Sequence, residues 1–348
     1  NQRLGFATTN NNVDNTEVYA LQADPGRPDH YILDGQSIPV RTEPVTVEFR
    51  DGDEYDRATH QRVYTDLGPI VHRTEEYIYV LRSAEDGEFR AGEQFLRLIQ
   101  ATNLSEWKDA MRLRAHPGSN FTYADAEGNI FYIWYGAIPI RPHPAGGDEA
   151  VAVLRMDEIW TELHSLESLP QILNPVGGYI HDENDGPWLA NLSEPLVPSE
   201  YPEYFQDNEF GLRSQHSVEL IGDSELLSLE GVVQLKHSYR MLLADRIKDE
   251  LTAAIRQALG RRRLENTFAT PTAAALLLLE RWNNEAAPDS RGAVLFQEWW
   301  RIYSNAFDGD EEWFAEEWTA ENPLGTPRGL ADLDLAVRVF PTAVRQTL

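Results

Sequence analysis

The chain of 348 residues carries a formal charge of −27, with 57 acidic residues against 30 basic ones, and only three of the basic residues are lysines. Such an acidic surface repels nucleic acid and anionic membranes, so we expect neither as a partner. The same surface is typical of a protein that stays soluble at high salt, and an ordinary acidic enzyme is the alternative. The absence of cysteine excludes disulfides, cysteine-ligated zinc and a thiol nucleophile.

The first quarter of the chain predicts an antiparallel sheet. Glu17–Leu21 has the alternation of a strand, and further short β patches end in Asp-Gly pairs. His30–Leu33 stands before Asp34-Gly35, and Val45–Phe49 stands before Asp51-Gly52. Because Asp-Gly favours the tight turns that join antiparallel strands, we expect hairpins in this part of the sequence.

The next segment changes period and then returns to strands. Residues 92–114 predict two short helices, and Asn103 or Ser105 is a suitable cap for the second one. The aromatic β runs Asn120–Asp125 and Ile130–Tyr135 follow, joined through a Gly-Asn pair. This combination is a strong signal for a β-hairpin.

The chain becomes helical after residue 223, and Asp289-Ser290 is a suitable cap for one of the helices. The predicted helical segments are 226–259, 270–282, 291–307 and 330–347. Strands therefore dominate the first half of the chain and helices dominate the second half. This order predicts an α+β fold with segregated layers.

The stretch Asn174–Asn191 is the most distinctive in the sequence. A strand-like apolar piece, Val176–Ile180, leads into a cluster of short polar residues that ends at Gly186-Pro187. This pattern predicts a rigid loop with a close backbone approach, with an acidic surface turn as the alternative. Asn184 in this loop offers an amide N–H, and oxyanion holes commonly combine one such side chain with one backbone N–H.

Other kinds of site receive little support from the sequence. The chain has no Gly-x-Ser-x-Gly elbow and no His-Glu-x-x-His zinc motif. Asp182, Glu183 and Asp185 are candidate calcium ligands, but three acids in one loop carry little weight in so acidic a chain. A glycosidase stays open as an alternative, because some pair among the 57 carboxylates always lies near the required separation.

Four blocks of sequence, spread in order over nearly the whole chain, carry a family resemblance. They are Gly5–Tyr19, Tyr123–Arg141, Asn174–Asn191, and Leu279–Trp282 with Asp289–Phe296. Together they resemble the penicillin acylase (penicillin amidase) family of N-terminal nucleophile hydrolases, in particular its acylases of acyl-homoserine lactones and lipopeptides. The resemblance implies an αββα sandwich, in which helical layers enclose two antiparallel sheets.

The resemblance also implies an activity and a site. Members of the family are amidohydrolases whose precursor cleaves itself and exposes a Ser at the new N-terminus of the large chain; the Ser hydroxyl attacks a linear amide of an N-acyl compound, and its α-amine is the base. Asn184 falls on the family's oxyanion Asn. Asn10 falls on the residue whose backbone N–H is the second donor, and Arg213 falls on the Arg that supports the Asn.

By family spacing, the nucleophile lies upstream of Asn1, so we expect a fragment of the large chain that is inactive by itself. We expect a single partial domain over 1–348, with a mainly β region that contains the oxyanion loop over 1–222 and a helical region over 223–348. The small chain of the same precursor is the expected partner. A non-catalytic member of the same fold, acting as a binding module, is the alternative.

The resemblance suggests a periplasmic or extracellular location. The longest apolar run, Ala273–Leu279, is too short to span a bilayer. No cofactor is expected to be required for the reaction. A structural calcium ion is the one metal that the resemblance suggests, with Asp14 and Glu17 at the matching positions.

Overall fold

The computed structural model describes residues 1–143, 149–205, 210–222, 226–262, 271–308 and 312–347. The chain divides into two compact units, Asn1–Asn208 and Glu209–Leu348. Every strand of the described residues lies in the first unit, as the predicted order of strands and helices requires. The second unit begins before residue 223, where the sequence predicts the start of the helical region, because a helix already begins at Leu212. The single-domain assignment over 1–348 stays a prediction.

Twelve strands and eight α-helices make up the regular structure of the described residues. The strands are β1 (Leu4–Thr9), β2 (Thr16–Ala23), β3 (His30–Leu33), β4 (Gln36–Pro39), β5 (Arg41–Asp51), β6 (Glu54–Thr65), β7 (Gly68–Arg73), β8 (Tyr77–Ser83), β9 (Gly118–Asp125), β10 (Ile130–Gly136), β11 (Val151–Val153) and β12 (Gln171–Leu173). The helices are α1 (Ala91–Gln100), α2 (Leu104–Met111), α3 (Leu212–Ile221), α4 (Leu229–Lys236), α5 (Leu242–Arg262), α6 (Pro271–Arg281), α7 (Arg291–Ser304) and α8 (Leu333–Thr347).

A four-stranded antiparallel sheet in the order β1-β9-β10-β12 forms the centre of the first unit. The predicted hairpin is β9–β10, and its aromatic residues are almost wholly buried. Helices α1 and α2 share the same core, to which α2 contributes Trp107 and Met111. The predicted cap of α2 is confirmed, because the Asn103 side chain accepts a hydrogen bond from the backbone N–H of Glu106.

The second sheet of the first unit has the strand order β4-β3-β2-β8-β7-β6-β5, with β11 added in parallel beside β2. Its inner strands are covered, and Val80 of β8 is fully buried. Strands β5 and β6 instead extend as a two-stranded ribbon, here named the arm, which pairs with β7 only at Tyr64 and Thr65. Val47 and Phe49 on the arm are 50% and 44% exposed. The arm is therefore regular in backbone and uncovered on its faces.

The second unit is a helical cluster around Phe296, Trp299 and Tyr303 of α7. The predicted cap is confirmed, because the Ser290 side chain accepts from the backbone N–H of Ala293. The single helix predicted over 226–259 is wrong. The chain leaves the helical path between α4 and α5, because its backbone there pairs with the segment that follows α6. Residue 270, the predicted start of α6, lies outside the described residues.

Two of the three lysines belong to the packing of their units. The Lys108 Nζ lies 4.1 Å from the centre of the Phe131 ring, and the Lys248 Nζ donates to the Trp282 carbonyl at 2.8 Å. Lys236, at the end of α4, is exposed. In the described part of the chain, no helix combines the length and the apolar character needed to cross a bilayer.

Candidate functional site

The segment Asn174–Asn191, here named the site loop, follows β12 and has an irregular backbone. The predicted strand Val176–Ile180 is wrong, because the chain turns there instead. The backbone N–H of Gly178 donates to the Pro175 carbonyl at 2.9 Å, and Gly178 has a φ of +70°. This left-handed conformation favours glycine, so the Gly pair forms a turn rather than a strand.

The predicted close approach occurs at Gly177. A Cβ on this residue would lie 2.5 Å from the side chain of Asn191. The Asn191 side chain in turn donates to the Tyr179 carbonyl at 2.8 Å and accepts from the backbone N–H groups of Ser193 and Glu194. The base of the site loop is thereby tied to its own end, as the sequence pattern predicts.

His181 closes the tip of the site loop. Its backbone N–H donates to the Ala190 carbonyl at 3.2 Å, and its Nε2 lies 2.7 Å from the Leu189 carbonyl oxygen. Its Nδ1 lies 2.8 Å from the Glu183 carboxylate. Because the imidazole is buried, these contacts join the two ends of the tip without solvent between them.

The carboxylate of Asp182 is the centre of the hydrogen bonding in the tip. It accepts from the Thr9 hydroxyl at 2.6 Å, from the Asn120 amide at 2.8 Å and from the backbone N–H of Asn184 at 3.1 Å. Burial raises the pKa of Asp182, and these three hydrogen bonds oppose that rise. The acid therefore connects the end of β1, the middle of β9 and the tip of the site loop.

Asn120 fixes this network to the sheet. Its side chain is fully buried within β9, and its Oδ1 accepts from the Tyr132 hydroxyl at 3.1 Å. Burial and the negative charges of Asp182 and Asp185 raise the pKa of Tyr132, so the hydroxyl remains a donor. A buried amide with partners on both sides is a firm anchor, because each group it satisfies is costly to leave unpaired.

The two predicted oxyanion residues lie together. Asn184 adopts a φ of +74°, a left-handed conformation that Asn tolerates better than most residues. Its Nδ2 donates to the backbone carbonyl of Asn10 at 2.8 Å. The side-chain amide of Asn184 is thus held against the backbone of the residue that was predicted to supply the second N–H.

Arg213 is in the first turn of α3, in the second unit, and its role toward Asn184 stays a prediction. Trp134 and Trp188, which flank this network in the sequence, are only 1% and 7% exposed and belong to the core of the first unit.

The proposed calcium ligands already have a cation beside them. The Arg141 guanidinium, whose side chain is 3% exposed, lies 2.7 Å from the Asp14 carboxylate and 3.9 Å from the Glu17 carboxylate. His143 Nε2 lies 3.2 Å from Glu17. The described ranges contain no group of three or more side chains suited to a metal ion, and the acids of the site loop are no exception. A calcium ion at Asp14 and Glu17 stays a prediction.

Sequence reasoning missed Thr9, Asn120 and Arg141. Only Asn120 could have been found from the sequence, because it is a polar residue at the start of an aromatic strand whose other residues are expected to be buried. A buried polar side chain needs partners, so its presence in such a strand indicates a network. The identity of those partners requires the fold, since they lie far apart along the chain.

Comparisons with known proteins identify a family for this chain. The sequence profile of the family described as penicillin amidase matches residues 1–346. The acyl-homoserine lactone acylase PvdQ of Pseudomonas fluorescens Pf0-1 is 26% identical over 274 residues, which cover 71% of this chain and 34% of that protein. The aculeacin-A acylase of Actinoplanes utahensis is 25% identical over 349 residues, which cover 89% of this chain and 42% of that protein. The chain thus spans less than half the length of these relatives.

A solved structure shows the same fold. The thermostable penicillin G acylase from Alcaligenes faecalis matches 100% of this chain and 67% of its own, with a TM-score of 0.62 and 18% sequence identity. The predicted fold class, with antiparallel sheets in the first half and helices in the second, is confirmed.

Proposed function

The chain belongs to the penicillin amidase family, and from this premise we propose that it is part of an amidohydrolase. The reaction would be hydrolysis of a linear amide bond in an N-acyl compound, such as an acyl-homoserine lactone, a penicillin or a lipopeptide. The names of the relatives, which are acylases of acyl-homoserine lactones and of aculeacin A, favour this activity over a non-catalytic binding module.

One observation carries the proposal: the Asn184 amide is fixed against the backbone of Asn10 at 2.8 Å. An amide nitrogen has two N–H groups, and the bond to the Asn10 carbonyl sets the direction of both. We propose that Asn184 and the backbone N–H of Asn10 donate to the oxyanion that forms when a Ser hydroxyl attacks the substrate carbonyl. One such donor contributes about 3–4 kcal/mol to the stability of the transition state.

The nucleophile, the base and the partner of this reaction are also proposals. The Ser, with its α-amine as base, would come from a segment outside these 348 residues, exposed when the precursor cleaves itself. The small chain of that precursor would complete the enzyme, and Arg213 would support Asn184. The periplasm or the extracellular medium is the proposed location, and the −27 charge suits a saline one.

We further propose that the Asp14–Glu17 region needs no metal, because the Arg141 guanidinium already lies beside both carboxylates and the His143 imidazole lies beside Glu17. Addition of a chelator is expected to leave the Tm unchanged. Arg141→Ala is expected to lower the free energy of unfolding by about 2–3 kcal/mol, below the usual cost of breaking a buried pair because Asp14 is half exposed. A drop in Tm on chelation, reversed by calcium, would instead establish a metal site.

The function is tested with Asn184→Ala in the complete gene product, with chromogenic acyl-anilides as substrates. The expected loss in kcat is about 10²- to 10³-fold, with a fall in Tm no larger than that of the control variant described next. Asn174→Ala is the matched control, because Asn174 is also a left-handed Asn of the site loop, with a φ of +51°, and its side chain bonds to Asn129 and Ile130 at the β9–β10 turn. Near-normal turnover by Asn184→Ala, or an equal loss in both variants, would contradict the proposal.

A further inference from the structure

We propose that Asp182 is a positioning residue of this site. Its carboxylate holds the backbone of Asn184 and the end of β1 in the relative position that aims the Asn184 amide. The inference rests on the proposed function, because it assigns to Asp182 a role that acts only through the oxyanion donors.

The first step is the turn at the tip of the site loop. Asp182 Oδ1 accepts from the backbone N–H of Asn184, two residues further on, at 3.1 Å. A carboxylate bonded to its own backbone in this way forms an Asx-turn, which substitutes a side chain for a backbone carbonyl. The turn supports the left-handed φ of +74° at Asn184, a conformation that an unsupported non-glycine residue avoids.

The second step is the connection to β1. Asp182 Oδ2 accepts from the Thr9 hydroxyl at 2.6 Å, and Thr9 directly precedes Asn10. The Asn184 amide closes the ring by donating to the Asn10 carbonyl at 2.8 Å. One carboxylate therefore spans the two chain segments that carry the proposed oxyanion donors.

The third step is the rigid base. The Asn120 amide donates to Asp182 Oδ1 at 2.8 Å from the fully buried middle of β9, and the Tyr132 hydroxyl of β10 holds Asn120 in turn. Side chains that are locked by packing and by hydrogen bonds keep a site within the small tolerance that catalysis requires. A misplacement of about 1 Å can cost a factor of about 10² in rate.

Substitutions of Asp182 separate positioning from stability. Asp182→Ala is expected to lower kcat by about 10- to 100-fold with KM nearly unchanged, since the donors act on the transition state. Asp182→Asn is expected to restore kcat to within about threefold. Its amide oxygen can still accept from Asn184 and Asn120, and its amide nitrogen can donate to the Thr9 oxygen.

The matched control is Asp125→Ala. Asp125 also accepts several hydrogen bonds, from Tyr123, Glu127 and Asn129, but it does so in the β9–β10 turn at the other end of the same strand. Its removal is expected to lower the Tm without a change in kcat. An equal loss of kcat in Asp125→Ala and Asp182→Ala would overturn the inference, because both effects would then follow from stability alone.

The outcomes distinguish this inference from the function on which it rests. If Asn184→Ala abolishes turnover while Asp182→Ala does not, positioning by Asp182 is wrong and the proposed function stands. If Asn184→Ala keeps its turnover, the function itself is wrong. If Asp182→Asn loses as much kcat as Asp182→Ala, the hydrogen bonds that residue 182 accepts do not position the site, and the inference fails.

A second variant tests the inference if Asp182→Ala does not fold. Thr9→Val removes only the hydroxyl that donates to Asp182 and keeps the shape of the side chain. It is expected to fold, to keep its KM and to lose about three- to tenfold in kcat. A folded Thr9→Val protein with full kcat would overturn the inference.

Discussion

The arm and the site loop achieve order in opposite ways. In the arm, β5 and β6 pair residue by residue from Arg41 with Tyr64 to Asp51 with Glu54, yet most of their side chains are exposed. In the site loop, the backbone is irregular, yet its polar side chains are bonded to groups on β1 and β9. The arm thus combines regular strands with exposed faces, whereas the site loop combines an irregular backbone with a tip that hydrogen bonds hold in place.

The difference teaches where the stability of each region comes from. A two-stranded ribbon alone is only marginally stable in water, so the arm depends on local turn chemistry and on cross-strand pairs. The site loop depends on a few buried polar groups, each of which is costly to leave unsatisfied. Single substitutions should therefore have large effects in the loop and small effects in the arm.

The largest effect is expected for Asn120→Ala. The substitution leaves the buried Tyr132 hydroxyl without its acceptor and Asp182 without one of its donors. The expected loss is about 2–3 kcal/mol in the free energy of unfolding, measured by urea denaturation, together with a fall in kcat. A loss below about 0.5 kcal/mol would mean that the network does not support the loop, and the contrast with the arm would disappear.

An intermediate effect is expected from the charge on Asp182. Because burial raises its pKa, the folded state binds the proton more tightly than the unfolded state, whose Asp pKa is about 3.9. The free energy of unfolding therefore falls as the pH rises through the raised pKa. Asp182→Asn lacks this term, so its stability relative to the parent protein should increase from pH 4 to neutrality in urea titrations. Parallel curves for the two proteins would contradict the expectation.

The smallest effect is expected in the arm. Val47→Thr replaces a half-exposed side chain and should change the free energy of unfolding by less than about 0.5 kcal/mol. The same substitution at Val80, which is fully buried in β8 of the same sheet, buries a hydroxyl and should cost about 1–3 kcal/mol. Equal losses at Val47 and Val80 would show that the arm is covered in solution.

The sequence predicts what local rules determine. The β9–β10 hairpin follows from a Gly-Asn pair between aromatic runs, and the caps at Asn103 and Ser290 are confirmed because a cap bonds within one turn. The prediction fails for Val176–Ile180, where apolar content suggested a strand but a glycine with a φ of +70° imposes a turn.

The site was predictable in part, because the family resemblance named two of its residues. We expect Asn184 and Asn10 to act together, and the structure brings them into contact. The residues that hold them, Thr9 and Asn120, have no local signature of that role. Their partner Asp182 lies far along the chain from both, so only the packing of the sheet reveals the network.

The distribution of lysines has a practical consequence for attachment of the protein to a surface. Lys108 is packed on an aromatic ring and Lys248 is buried against a carbonyl, whereas Lys236 is exposed on α4. Among the lysines of these 348 residues, amine-reactive resins should therefore couple mainly at α4, in the second unit. Coupling at Lys236 would leave the site loop, which contains no lysine, chemically untouched, whereas coupling through the 57 carboxylates would be random.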